Sequence, residues 1–257
     1  EAVNLISEAT RLAYADRNQF LGDKSLVDTD KLLDKNYLKK RASLIKIGKR
    51  ISDISAGDFK ENYSQVINQN AFEAPSTTHM SVIDSEGNAV SMTSSIEYFF
   101  GSAVAVDGFL LNNQLTDFSF IPTKDGKDVA NKIMPLKQPR SSMSPSFVFD
   151  KNDNLILIVG SPGGPRIIQF VAKAIINHLD FHLDIQKAIS LPTFIALNDV
   201  IELEKNQNIT KLQKPLEELG YKTKIIEIVS GIQAISIKNN KLYGASDPRR
   251  EGSSIGL

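Results

Sequence analysis

At Thr77 the hydrophobic pattern of the chain changes, and that change constrains the fold more than any other feature. Before it, Ala2, Leu5, Ile6, Ala9, Leu12 and Ala13 recur at helical spacing, and the pattern predicts an uncapped helix that stops near "LGD" at 21–23. The lysine-rich residues 24–60 predict short helices such as "TDKLLDKNYLKKRASLI", and 61–76 read as a loop. From Thr77 the period drops to two. "THMSVID", the turn "SEGN" and "AVSMTSS" make a hairpin. "SAVAVDGFLLNNQ" predicts a strand pair turning at Asp107-Gly108, "SFVFDKNDNLILIVGS" one turning at "KNDN", and "IQAISIKNNKLYGAS" one turning at "KNN". Between them lie a helix in "GGPRIIQFVAKAIINHLDF", a short one in "DIQKAIS", and helix then strand in "TKLQKPLEELG" and "YKTKIIEIV". Residues 121–139, with Pro, Gly, Lys and Asp, read as a mobile loop. Helices first and antiparallel hairpins after, with helices between them, predict a layered α+β architecture.

Composition narrows the function classes. With 30 Lys+Arg against 30 Asp+Glu, the 257 residues carry no formal net charge, which argues against a nucleic acid or an anionic membrane as partner. No cysteine is present, so disulfides, thiolate metal sites and a cysteine nucleophile are excluded. No apolar run reaches the roughly 18 residues that a membrane-spanning helix needs. The chain opens in mid-pattern on Glu1 with no signal peptide, and is expected to lack an N-terminal part.

Several short stretches could carry chemistry, and each has a structural alternative. Thr77 is either an ordinary strand residue or a nucleophile. His178 and His182, spaced i, i+4 on the expected helix, could both face a metal, but no HExxH and no third ligand accompanies them. "GSPGGPR" at 160–166 joins strand to helix without the lysine of a phosphate loop. It is a tight turn or an oxyanion hole built from adjacent glycine N–H groups. "PRSSMSPS" at 139–146 is a polar strand edge, a weak serine-nucleophile candidate, or a carboxylate-holding pair at Ser141 and Ser142. In "NNQLTDF", Gln114 and Asp117 are turn residues or grip an ammonium.

Taken together and in order, "TTHMSVID", "EGNAVSMTSS", "LLNNQLTDFS", "PRSSMSPS", "GSPGGPRII" and "LYGASDPRR" resemble the γ-glutamyltranspeptidase family. The resemblance runs through 77–257, and "EATRLAYADRNQFLGD" looks like the later part of that family's large subunit. Residues 1–76 are thus expected to be the helical C-terminal part of the large subunit, and 77–257 the small subunit.

The resemblance implies an N-terminal-nucleophile hydrolase with a four-layer αββα sandwich and antiparallel sheets. It implies self-cleavage between Ser76 and Thr77, with Thr77 as nucleophile and its freed α-amino group as base. Ser95 matches a threonine that hydrogen-bonds the nucleophile. Gln114 and Asp117 match the residues that hold the donor's α-ammonium, Ser141 and Ser142 those for its α-carboxylate, and Gly163 and Gly164 the oxyanion pair. Glu97 stands where many members have an asparagine that touches the ammonium. The implied partners are a γ-glutamyl donor such as glutathione, a water, amino-acid or peptide acceptor, and the rest of the large subunit. No cofactor or metal is implied. The compartment implied is periplasmic or extracellular. Two departures bear on substrate. The 117–141 segment is short and has no lid tyrosine, and the arginine that meets the donor carboxylate in the family lies outside this chain. A relative acting on poly-γ-glutamate or a cephalosporin side chain, a non-catalytic descendant, and a chain inactive by itself are the alternatives.

Overall fold

The computed structural model describes residues 1–23, 29–58 and 76–256. The expected loop at 61–76 lies, Ser76 aside, outside the described residues. By compactness the chain divides into two interleaved units. One comprises Glu1–Asn70, Gln114–Ser141 and Pro192–Glu227. The other comprises Ala71–Asn113, Ser142–Leu191 and Ile228–Leu257. Their limits do not follow the expected cut, which is a covalent boundary and not one of packing.

The first unit is built on the helix Ala2–Phe20 and a three-stranded sheet ordered Lys222–Ile226, Val200–Glu204, Phe194–Leu197. Its core holds Phe194, Ala196, Ile201, Leu203, Leu216 and Tyr221, with Val3 and Ile6 of the helix packed on it. Burying each large apolar side chain contributes about 1.5–3 kcal/mol. The buried face of the helix is not the expected apolar stripe: Ala2, Ala9 and Ala13 are exposed, while Asn4, Ser7, Glu8 and Arg11 are buried. Asn4, Glu8 and Arg11 are paired there, while the Ser7 hydroxyl is buried without a hydrogen-bond partner. The Glu8 carboxylate accepts from Arg11 Nη1 at 2.6 Å, Tyr221 Oη at 2.6 Å and the Ile51 amide at 2.8 Å. Asn4 Nδ2 donates to Tyr221 Oη and to the Lys49 carbonyl. A buried carboxylate such as that of Glu8 is tolerable only when paired in this way. At the helix end Gly22 provides close approach and not a left-handed cap, since a Cβ there would lie 2.2 Å from the Ala130 carbonyl oxygen.

The helical expectation for 29–45 resolves into Thr29–Leu33 and Lys35–Ala42. Asp34 interrupts it by capping the second helix, accepting from the Asn36 and Tyr37 amides. The hairpin Phe194–Leu197/Val200–Glu204 has no counterpart in the sequence reading. Lys222–Ile226 runs parallel to Val200–Glu204, as the intervening helix Gln213–Glu218 requires. The 121–139 segment is not a featureless loop. It carries the small hairpin Thr123–Lys124/Lys127–Asp128 and the buried residues Val129, Ala130 and Asn131.

In the second unit an antiparallel sheet runs in the order Lys241–Ser246, Gln233–Lys238, Leu155–Gly160, Ser146–Phe149. The helices Ile167–Leu179 and Ile185–Ser190 pack against it. The hairpin Thr78–Ile83/Ala89–Ser94 lies on the same sheet, with Ser81 Oγ donating to the Gln233 carbonyl and Ser91 Oγ to that of Val159. The turns fall where the sequence puts them, and two use one device. Asp84 accepts from the Glu86 and Asn88 amides, and Asp150 from those of Asn152 and Asn154. Asp107-Gly108 and Asn239-Asn240 turn with positive φ at both residues, as two-residue hairpin loops require. Asp247 of "LYGASDPRR" is a structural lock: buried, it accepts from Ser230 Oγ at 2.6 Å, the Ile232 amide and Arg249 Nη1.

Candidate active site

The hairpin that begins at Thr78 is inverted relative to an ordinary surface hairpin. Its polar residues His79, Ser81, Ser91 and Thr93 face inward, while Met80, Val82, Val90 and Met92 are each about 45% exposed. Registry pairs Met80 with Met92 and Val82 with Val90, which makes the outer face a contiguous apolar patch. The inner polar row leads to Thr77. The buried Thr77 donates from Oγ1 to Ser95 Oγ at 3.0 Å, and Ser95 Oγ also accepts the Glu97 amide at 3.0 Å. Two neighbours thus fix the Ser95 hydroxyl against the Thr77 oxygen. Ser76, the residue before Thr77, donates from Oγ to the Glu97 carbonyl.

Behind Thr77 sits His79. Its Nδ1 lies 2.7 Å from Thr93 Oγ1 and its Nε2 3.2 Å from Ser81 Oγ. Burial holds the imidazole down at about 4, so it is neutral near pH 7. The ring occupies the space left by Gly160, where a Cβ would lie 2.1 Å from His79 Cε1. Gly160 ends the strand that leads through Ser161 and Pro162 to Gly163-Gly164. His79 therefore couples the Thr77 strand to the strand before the glycine turn. Thr77 and Pro162 line one cavity of about 1070 Å³, together with Gly231 and Arg250.

The glycine turn needs its glycines. Gly163 has φ 130°, and a Cβ there would meet Phe170 Cε2 at 2.6 Å. Gly164 has φ 52° and opens the short 3-10 turn that feeds the helix Ile167–Leu179. Backbone N–H groups at a helix start are suited to stabilising a developing oxyanion. Glu97 has φ 75°, in the left-handed region that costs most side chains about 1–2 kcal/mol and suits asparagine better.

Gln114 and Asp117 belong to the other unit and share one 3-10 turn, with Gln114 Nε2 3.4 Å from Asp117 Oδ2. The unit boundary falls between Ser141, which is exposed, and Ser142, which is half-buried. The structure thus brings Thr77, Ser95 and Glu97 together, and separately Gln114 with Asp117. The histidine pair fails as a metal site. The helix ends at Leu179, His182 lies beyond it with φ 55°, and His178 Nδ1 is 2.7 Å from the Leu183 carbonyl oxygen. The i, i+4 geometry therefore does not form. Among the described residues no group of three His, Cys, Asp or Glu could hold a metal ion. Among the same residues no helix is long and apolar enough to cross a membrane. Sequence reasoning missed His79, whose signal was its place two residues after Thr77. It also gave no role to Asn131, which follows the buried Val129 and Ala130 in a segment read as a loop.

The family model for gamma-glutamyltranspeptidase matches residues 1–257. The chain is 35% identical to the glutathione hydrolase proenzyme of Bacillus subtilis (strain 168), the match covering 100% of this chain and 45% of that protein. It spans less than half the length of the curated relatives it matches first. Among solved structures, the gamma-glutamyltranspeptidase of Pseudomonas nitroreducens complexed with L-DON aligns with a TM-score of 0.63 at 35% identity, over 70% of this chain and 99% of that one. The cephalosporin acylase of Bacillus halodurans shares the fold over 96% of this chain and 43% of its own, with a TM-score of 0.80 at 24% identity.

Proposed function

The chain belongs to the γ-glutamyltranspeptidase family, and from that premise we propose that the full-length protein moves γ-glutamyl groups from amides such as glutathione to water or an amine, through an ester on Thr77. Its fold is the α+β fold of the N-terminal-nucleophile hydrolases. The observation that carries the reading is the 3.0 Å hydrogen bond between Thr77 Oγ1 and a Ser95 hydroxyl held by the Glu97 amide.

In the uncut chain the Thr77 nitrogen is an amide and cannot act as a base. Cleavage after Ser76 frees it as an amine with a pKa of about 8, matched to a proton transfer near neutral pH. The amine takes the Thr77 hydroxyl proton as Oγ1 attacks the γ-carbonyl carbon. The amide N–H groups of Gly163 and Gly164 stabilise the oxyanion. The carbon–nitrogen bond then breaks, the leaving amine takes the proton, and the γ-glutamyl ester remains. Water or an acceptor amine attacks the ester, giving up a proton to the same base, and Thr77 is regenerated. Asp117 and Gln114 would meet the donor's ammonium, and Ser141 and Ser142 its carboxylate. Glu97 would offer the donor's ammonium a further carboxylate.

The uncovered apolar face of Met80, Val82, Val90 and Met92 supports the view that further polypeptide, the rest of the large subunit, completes the protein. The test is substitution of Thr77 in the full-length protein. Thr77→Ala is expected to abolish both cleavage and γ-glutamyl turnover, whereas Thr77→Ser, which keeps a hydroxyl, is expected to retain part of each. Undiminished turnover by Thr77→Ala overturns the assignment.

A further inference from the structure

Asn131 is 3% exposed and lies in a segment with no assigned role. Its side-chain amide is spent on two backbone groups from different stretches. Nδ2 donates to the Asp117 carbonyl at 2.7 Å, and Oδ1 accepts the Arg140 amide at 2.9 Å. Its own carbonyl accepts the Ser119 amide at 2.8 Å. Asparagine is suited to this, with a donor and an acceptor at the two ends of one rigid plane. The Arg140 side of the bridge is anchored in turn. The Arg140 guanidinium donates to the Arg17 carbonyl at 3.1 Å and to Asn18 Oδ1 at 3.4 Å, and the Gln138 amide donates to Asp23 Oδ2 at 2.8 Å. The end of the first helix therefore holds this segment, and Asn131 carries the restraint on to Asp117.

We propose that Asn131 is a positioning residue for donor recognition, fixing the Gln114–Asp117 turn relative to the Arg140–Ser141 stretch. The proposal rests on the functional reading above, in which Asp117 takes the donor's ammonium and Ser141 its carboxylate. In an α-amino acid these two charges sit on one carbon, so the groups that receive them must keep a fixed separation. A displacement of about 1 Å is enough to lose much of the recognition. Removing the Asn131 amide leaves the Asp117 carbonyl and the Arg140 amide without this partner, and both stretches relax toward other partners.

The experiment compares γ-glutamyl-p-nitroanilide with glutaryl-p-nitroanilide, which lacks the α-ammonium, on full-length wild-type protein and on Asn131→Ala and Asn131→Ser. Asn131→Ala is expected to raise KM for the γ-glutamyl donor about tenfold with kcat within about twofold. Cleavage before Thr77 continues, and the preference for the ammonium-bearing donor falls. Asn131→Ser, which keeps one small polar group, falls between. A KM and a donor preference that stay at wild-type values in both variants overturn the proposal. So does an equal loss on both donors together with slowed cleavage, because that is the signature of a general structural role. A wild-type protein inert toward γ-glutamyl-p-nitroanilide overturns the functional reading itself, and this inference with it.

Discussion

His79 shows how a single buried residue ties stability to pH. Its imidazole is held at about 4 in the folded chain, against an ordinary value near 6.5. The unfolded chain therefore takes up a proton first as the pH falls. The contribution of this site to stability is complete above about pH 6.5, declines as the pH falls from there toward 4, and levels off below that. Urea unfolding across this range is expected to show a falling midpoint, and His79→Gln to flatten that slope. A slope unchanged in the variant would mean that other groups carry it. At this scale the family was legible in the sequence. The motifs from "TTHMSVID" to "LYGASDPRR", taken in order, resemble one family, and the family model matches the whole chain. What could not be read was how Ser95 is held, because the Glu97 amide that fixes it is a backbone group and leaves no mark in the side-chain pattern.

Among the elements, the hairpin that follows Thr77 and carries His79 meets the sheet closely at Gly160. A methyl group there would overlap the His79 ring at 2.1 Å, and the ring is boxed in by Thr93 and Ser81. Overpacking of this kind costs about 1–3 kcal/mol. Gly160→Ala is expected to lower unfolding stability by that much and to slow the proposed cleavage before Thr77 through displacement of the strand that follows it; wild-type stability and cleavage would contradict the packing argument. Turns were legible in the sequence because Asp, Asn and Gly each have a local backbone reason to be there, as at Asp84, Asp150 and Asp107-Gly108. The buried face of the first helix was not legible. Glu8 and Arg11 look like surface residues until Tyr221 and Asp199, some two hundred positions away, are seen to complete their pairing. The strands Phe194–Leu197 and Val200–Glu204 were passed over although Asn198-Asp199, with φ 53° at Asn198, marks their turn.

For the whole molecule, the sequence order of helices and hairpins was legible, whereas the interleaving of two units was not, since each is assembled from three separated stretches. The exposed apolar face of the hairpin and the match to less than half of its relatives' length both direct the decisive experiment to the full-length protein. That experiment is intact-mass and N-terminal analysis of the protein during turnover of a slow γ-glutamyl donor. The account predicts two fragments, the smaller beginning at Thr77 and carrying the γ-glutamyl group as an ester on that residue. An uncut protein that turns the donor over, or an ester on any residue other than Thr77, would contradict it.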